Sequence, residues 1–166
     1  MPEKKTVERA QRAKRQGKAP STQAGEFVRE EMHHIREGKH GARSPEQAIA
    51  IGLSKARRAG VDLPPPKEGE ASEETRQAAK RAVKAGRSGT RKRPATKRSR
   101  GVRRALKREG RSAASKRALS KQARKSARRR TATDRSAAAK KAARTKGRSG
   151  RSAAARKAAR TRAARR

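Results

Sequence analysis

The sequence predicts a mostly α-helical protein with extensive disorder, in which a small helical hairpin precedes a disordered or nascent-helical basic tail. Charge segregation points there first. Residues 1–74 hold 15 Lys/Arg and 12 Asp/Glu, whereas residues 75–166 hold 37 Lys/Arg and only Glu109 and Asp134. Apolar content points the same way. Only 30% of the 166 residues are hydrophobic, mostly alanine, with one Phe and neither Trp nor Tyr. Alanine buries little area, so the burial gain of about 25 cal/mol per Å² is small. It cannot offset an ordering cost on the order of 1–2 kcal/mol per residue over the whole chain. Helical periodicity, the remaining sign, is confined to the first half.

Five segments follow: a charged arm (1–23), a helical-hairpin module (24–63), a Pro/Glu linker (64–71), a short capped helix (72–86) and a basic Ala/Lys/Arg repeat tail (87–166). Within the arm, residues 3–16 suit a helix between Pro2 and Gly17. They show no apolar stripe, so the arm is expected to be solvated and frayed. Residues 24–37 place Ala24, Phe27, Val28, Met32 and Ile35 on one arc at about 100° per residue. Glu31 intrudes on that arc. Gly38 suits the helix end.

Residues 45–59 carry the clearest helix signals. Ser44 suits the N-cap, Pro45 the first helical position, and Gln47 completes a capping box. Ile49, Gly52, Leu53 and Ala56 follow i, i+3, i+4, i+7 spacing. Gly60 suits a left-handed cap with Val61 as its apolar contact, and Pro64, Pro65 and Pro66 forbid continuation. The expected hairpin core is Phe27, Val28, Ile35, Ile49, Leu53 and Leu63. So few apolar residues leave it marginal. Ile51, Lys55 and Arg58 form a second face, read equally as solvated surface or as a dimer or partner contact. Ser72 with Glu73 and Glu74 begins another helix, which Gly86 ends.

Residues 86–101 (GRSGTRKRPATKRSRG) are expected to be flexible. An imperfect repeat follows: RSAASKRALSK from Arg111, RSAAAKKAART from Arg135 and RSAAARKAART from Arg151. Each begins with a serine placed to cap, namely Ser112, Ser136 and Ser152. Alanine favours helix, but like charges at i, i+4, such as Lys140 and Arg144, oppose it in water. These repeats are expected to be coil when free and helical on a polyanion.

The segment GKHGARSPEQAIAIGLSKARRAG (Gly38–Gly60) resembles a short domain of small bacterial proteins, with QAIAIGLSKAR as its core; the resemblance implies a bacterial source and no particular activity. In composition the tail is similar to bacterial histone-like proteins and to linker-histone tails. It departs from the latter in its arginine preference and in lacking proline after Pro94.

A net charge of +35 over residues 75–166 requires a densely anionic partner. Duplex DNA carries one charge per ~1.7 Å, so the tail matches roughly 60 Å of duplex. The residues expected to bind nucleic acid are Arg91, Lys92, Arg93, Lys97, Arg98, Arg100, Arg103, Arg104, Lys107, Arg108, Lys116, Arg117, Arg124, Lys125, Arg128, Arg129, Arg130, Lys140, Lys141, Arg144, Arg156, Lys157 and Arg160. The expected function is non-sequence-specific duplex DNA binding by a histone-like, nucleoid-associated protein; the alternative is an RNA-binding or ribosome-associated protein. Stacking on single strands is disfavoured, because Phe27 is the sole aromatic and belongs to the core. A homodimer through residues 24–63 is compatible with the module.

Neither an enzyme nor a cofactor is expected. The carboxylate pairs Glu30/Glu31 and Glu73/Glu74 are adjacent in sequence and do not face one another, and GRSGTRK (86–92) lacks the Gly-Lys-Ser/Thr ending of a phosphate loop. Glu30/His33 and Glu37/His40 show Glu-x-x-His spacing, but di-iron sites of that type need four inward-facing helices, so no metal is expected. Absence of Cys excludes disulfides and thiolate sites. RKRPATKRSR (91–100) looks like part of a nuclear localisation signal, a match that basic composition produces readily. No apolar run approaches the ~20 residues of a membrane span, and the N-terminus lacks an apolar signal core. A soluble cytoplasmic protein at the bacterial nucleoid is expected, or a nuclear one in a eukaryotic host.

Overall fold

The computed structural model describes residues 2–89 and 96–164. Among these are seven α-helices, one 3-10 turn and no strand: α1 (Lys4–Arg15), α2 (Pro20–Arg36), α3 (Pro45–Arg58), α4 (Glu73–Arg87), α5 (Thr96–Arg108), the turn Ser112–Ala114, α6 (Lys116–Arg128) and α7 (Ala132–Ala163). The chain forms two compact units, Met1–Gln122 and Ala123–Arg166.

In the first unit, α2 packs against both α1 and α3, and α4 packs against α3. The arm expected to be solvated is therefore docked. Its contact stripe is Thr6, Ala10 and Ala13, small residues at i, i+4, i+7 that bring α1 close to α2. A search for bulky apolar residues does not find such a stripe. Helix α2 starts at Pro20, inside the segment read as the charged arm, because proline suits the first helical turn.

Two apolar clusters build the interior. Phe27 and Ala24 meet Ala10, Ala56 and Val61, with Leu53 and Leu63 partly buried beside them. Met32 and Ile35 meet Ala42, Ala48, Ala113 and Ala114, with Val28, Ile49 and Leu119 at the margin. All six expected core residues take part, but Ala113, Ala114 and Leu119 come from the segment expected to be free tail. Glu31, the intruder on the apolar arc, is itself buried, at 1% exposure.

Helix α3 starts as expected: Ser44 Oγ accepts from Gln47 N at 3.2 Å. The Gln47 side chain instead accepts from Arg43 N at 2.7 Å. Gly60, at φ 85°, provides the left-handed cap. Arg57 ties the following chain back to α3: its guanidinium donates to Leu63 O at 3.2 Å and Pro64 O at 2.9 Å. Burial pushes that guanidinium below the usual arginine range.

The expected disorder of the basic half is not found in its described residues. α5, α6 and α7 occupy most of residues 96–164, and α5 begins within the segment read as flexible. Alanine propensity is the physical reason: twelve of the 32 residues of α7 are alanine. A capping box adds to it, with Thr131 Oγ1 accepting from Asp134 N at 3.1 Å and Asp134 Oδ2 from Thr131 N at 3.3 Å. Ser136 and Ser152 lie inside α7 and do not cap. Ser112 lies in the 3-10 turn, and Ser115 Oγ accepts from Ala118 N at the start of α6. At Gly147 (φ 64°, ψ −178°) the backbone leaves the helix for one residue, between two of the repeats.

Part of the basic half belongs to the first unit and is tied into it through backbone. Gly41 N donates to Leu106 O at 2.8 Å and Ala42 N to Gly110 O at 3.1 Å. Arg36 Nε donates to Ala114 O at 2.9 Å. Gly41 must be glycine here, since a Cβ at that position would collide with the Glu109 carbonyl.

Candidate nucleic-acid interface and a buried ionic cluster

Every Lys and Arg between residues 96 and 164 is exposed. That includes all the expected nucleic-acid-binding residues except Arg91, Lys92 and Arg93, which lie outside the described residues. The only acids in this stretch are Glu109 and Asp134. Glu109 lies 3.6 Å from Arg43, and Asp134 is used in the capping box.

Helix α5 gathers its bases. At about 100° per residue, Lys97, Arg100, Arg103, Arg104, Lys107 and Arg108 share an arc of roughly 140°, and Arg98 falls outside it. Leu106 is turned partly inward, its carbonyl held by Gly41. On α6, Leu119 packs against the Ile35 cluster and fixes the roll of the helix. Arg117 and Lys121, about 160° or more from Leu119 by the same geometry, then face outward. Lys121 was missed among the expected residues, although its i+4 spacing from Arg117 marks it. Along α7 no such stripe exists. Lys140, Lys141 and Arg144 lie before Gly147 and Arg156, Lys157 and Arg160 after it, exposed on all sides. Arg135, Lys146, Arg148, Arg151 and Arg162 add to the same exposed set.

No helix among the described residues is long and apolar enough to cross a membrane.

A second arrangement, unforeseen from the sequence, lies within the first unit. Glu30 and Glu31 are both buried on α2. Glu30 accepts from the backbone N of Glu3 at 3.3 Å, and Lys55 Nζ stands 3.7 Å from its Oε1. Glu31 Oε1 faces His40 Nε2 at 2.9 Å. Its Oε2 lies 2.6 Å from Lys55 Nζ, yet accepts no well-aligned hydrogen bond. His34 Nε2 faces Glu3 Oε1 at 3.0 Å, and this hydrogen bond is the chief cause holding the Glu3 carboxyl below its usual range. The imidazoles of His34 and His40 meet edge to face, 6.1 Å between centroids. Lys55, read as part of an outer face with Ile51 and Arg58, is thus drawn inward by two buried carboxylates.

Glu31, His34 and His40 each offer a ligand atom, all within 4.8 Å of one another. The Glu-x-x-His pair brought together is Glu31 with His34. The pairs singled out from the sequence are not: His33 and Glu37 are exposed. Only two such pairs were read from the sequence, and Glu31/His34, one residue along from Glu30/His33, was passed over; the roll of α2 decides between these neighbours.

Residues 3–67 match the model of a family of unknown function (DUF6496). The match covers α1 to α3 and the proline stretch, and so extends well beyond Gly38–Gly60. Residues 68–166, with most of the basic charge, lie outside it. No curated protein and no solved structure matches the chain.

Proposed function

We propose that the protein binds nucleic acid, duplex DNA in the first instance, without reading base sequence. A single observation carries this: all Lys and Arg of residues 96–164 are exposed, most of them on helices, with only two acids in the stretch. Such a surface displaces condensed counterions from phosphate, so affinity is high at low salt and falls steeply as salt rises. Arginine adds bidentate phosphate contacts. Phosphate contacts position a protein without specifying sequence. Duplex is favoured over single strands because the stacking element is missing: Phe27, the only aromatic, is fully buried.

The helical form of the basic half makes this reading more concrete. A helix with its side chains is about 10–12 Å across, comparable to the ~12 Å major groove. Helix α7 carries bases on all sides with a break at Gly147, which suits contact with more than one phosphate strand and bridging between segments. Compaction of DNA in a nucleoid-like role follows from such bridging.

The test is a competition titration. Full-length protein is bound to labelled random-sequence duplex across a salt series, with structured RNA as competitor. Steep salt dependence, with duplex retained against an equal amount of RNA phosphate, supports the proposal. Displacement by RNA at low excess moves the function to RNA or the ribosome. A flat salt slope removes the basic half as the binding element.

A further inference from the structure

We propose that Glu31, His34 and His40 form a binding site for a divalent transition-metal ion of the zinc class. Charge balance leads there first. Among the described residues, Lys55 is the one lysine facing the two buried carboxylates, Glu30 and Glu31, whose side chains are only 2% and 1% exposed. Glu3, Glu37 and Lys39 meet one another at the half-exposed rim. The buried pair therefore carries one more negative charge than its lysine supplies, and buried carboxylates without full compensation are costly. A cation held between Glu31 and the two imidazoles offsets that excess.

The geometry at His40 is compatible with a metal ion at the same place. Its Nδ1 lies 3.0 Å from the Gly41 carbonyl, an acceptor only, so Nδ1–H donates there. In the neutral ring Nε2 then carries a lone pair, yet it faces Glu31 Oε1 at 2.9 Å. Two electron-rich atoms at that separation require a positive centre between them, either a proton or a metal ion. An imidazole whose Nδ1–H is anchored on a carbonyl, presenting Nε2, is the usual arrangement of a metal-binding histidine. Lys55 serves the same end: its contact with Glu31 Oε2 leaves Oε1 as the ligand atom.

The donor set selects the ion. Two imidazoles and a carboxylate suit Zn2+ and its neighbours, whereas Mg2+ and Ca2+ prefer all-oxygen shells. Ligand atoms within 4.8 Å of one another need only small side-chain rotations to reach the separation of about 3.3 Å expected for ligands around tetrahedral zinc. The ligands come from α2 and the 37–44 loop, so the ion would fasten that loop, through which Gly41 and Ala42 hold residues 106–110. The role is structural, and the proposal does not depend on nucleic-acid binding.

The experiment uses metal-free full-length protein at neutral pH, with Zn2+ titrated against a chromogenic chelator. One Zn2+ per chain is expected, unaffected by excess Mg2+. His40→Ala and His34→Ala should each lower affinity on the order of 100-fold or more, at or beyond the 10–100-fold that losing a mere supporting partner costs. His33→Ala, altering an exposed ring beside His34, should leave affinity unchanged. Because an unfolded variant would also lose the metal, Co2+ is bound to the unaltered protein as a second measurement. Intense visible bands of a four-coordinate ion, abolished by one equivalent of Zn2+, are expected. The proposal is overturned by absence of saturable binding at one equivalent, by equal losses in His33→Ala and His40→Ala, or by a six-coordinate Co2+ spectrum.

Discussion

Gly52 of α3 lies so close to Val28 of α2 that a Cβ at position 52 would stand 2.7 Å from the Val28 Cα. No side-chain rotation relieves a contact with backbone, so the two helices must separate to admit a methyl group. Alanine in a helix interior ordinarily gains up to about 1 kcal/mol over glycine. Here overpacking, typically costing about 1–3 kcal/mol, outweighs it. Gly52→Ala should therefore lower the thermal midpoint. A raised midpoint would mean that α2 and α3 are not in this contact.

Phe27 is the only large aromatic residue and is fully buried where α1, α2 and α3 supply Ala10, Ala24 and Ala56. Its alanine neighbours cannot expand into the space, so Phe27→Ala should cost about 3–5 kcal/mol, as large aromatic deletions do. In so small a core that is close to the whole stability. Denaturant unfolding should find the first unit largely unfolded in this variant, while Val102→Ser, at a site 55% exposed, should match the parent.

Legibility in the sequence divided along physical lines. The ends of helix α3 were readable because Ser44, Pro45, Gly60 and the prolines are local signals whose chemistry acts within a few residues. The docking of α1 was not, since Thr6, Ala10 and Ala13 are small residues whose value lies in close approach to α2. Nor was the use of Ala113 and Ala114 as core, because nothing in RSAAS distinguishes them from the exposed alanines of later repeats. The basic surface was legible from composition, although Arg111, Lys121, Arg135, Lys146, Arg148, Arg151 and Arg162 were overlooked. The Glu31–His34–His40 grouping was hidden behind the Glu30/His33 and Glu37/His40 spacings, and by the need to know that Lys55 turns inward.

At the start of α4, Glu73 accepts from Gln77 Nε2 at 2.7 Å and from Arg76 Nε at 2.8 Å. The hydrogen bond from Gln77 chiefly holds the Glu73 carboxyl below its usual range, with Arg76 contributing. A carboxylate with a lowered folded-state value favours the folded helix above the ordinary glutamate range, and that preference is lost as pH falls through the lowered value. Gln77→Ala should therefore move the Glu73 carboxyl titration, followed by NMR, upward toward the ordinary value. An unchanged midpoint would assign the effect to Arg76 and the helix N-terminus alone.

The arc on α5 allows the proposed nucleic-acid contact to be counted. Arg100, Arg104 and Lys107 are exposed and lie at i, i+4, i+7, where a single phosphate backbone can meet all three. Each duplex phosphate contact contributes about 0.9 to the magnitude of the slope of log K against log salt. Changing all three residues to Gln should reduce that magnitude by roughly 2–3 and weaken binding equally on duplexes of different sequence. Lys67→Gln, at an exposed site in the less basic first half, should leave the slope nearly unchanged. If the triple variant keeps the parental slope, α5 does not touch phosphate, and contact must be sought on α6 and α7. If its loss differs between sequences, the protein reads bases through α5, and the non-specific reading is wrong.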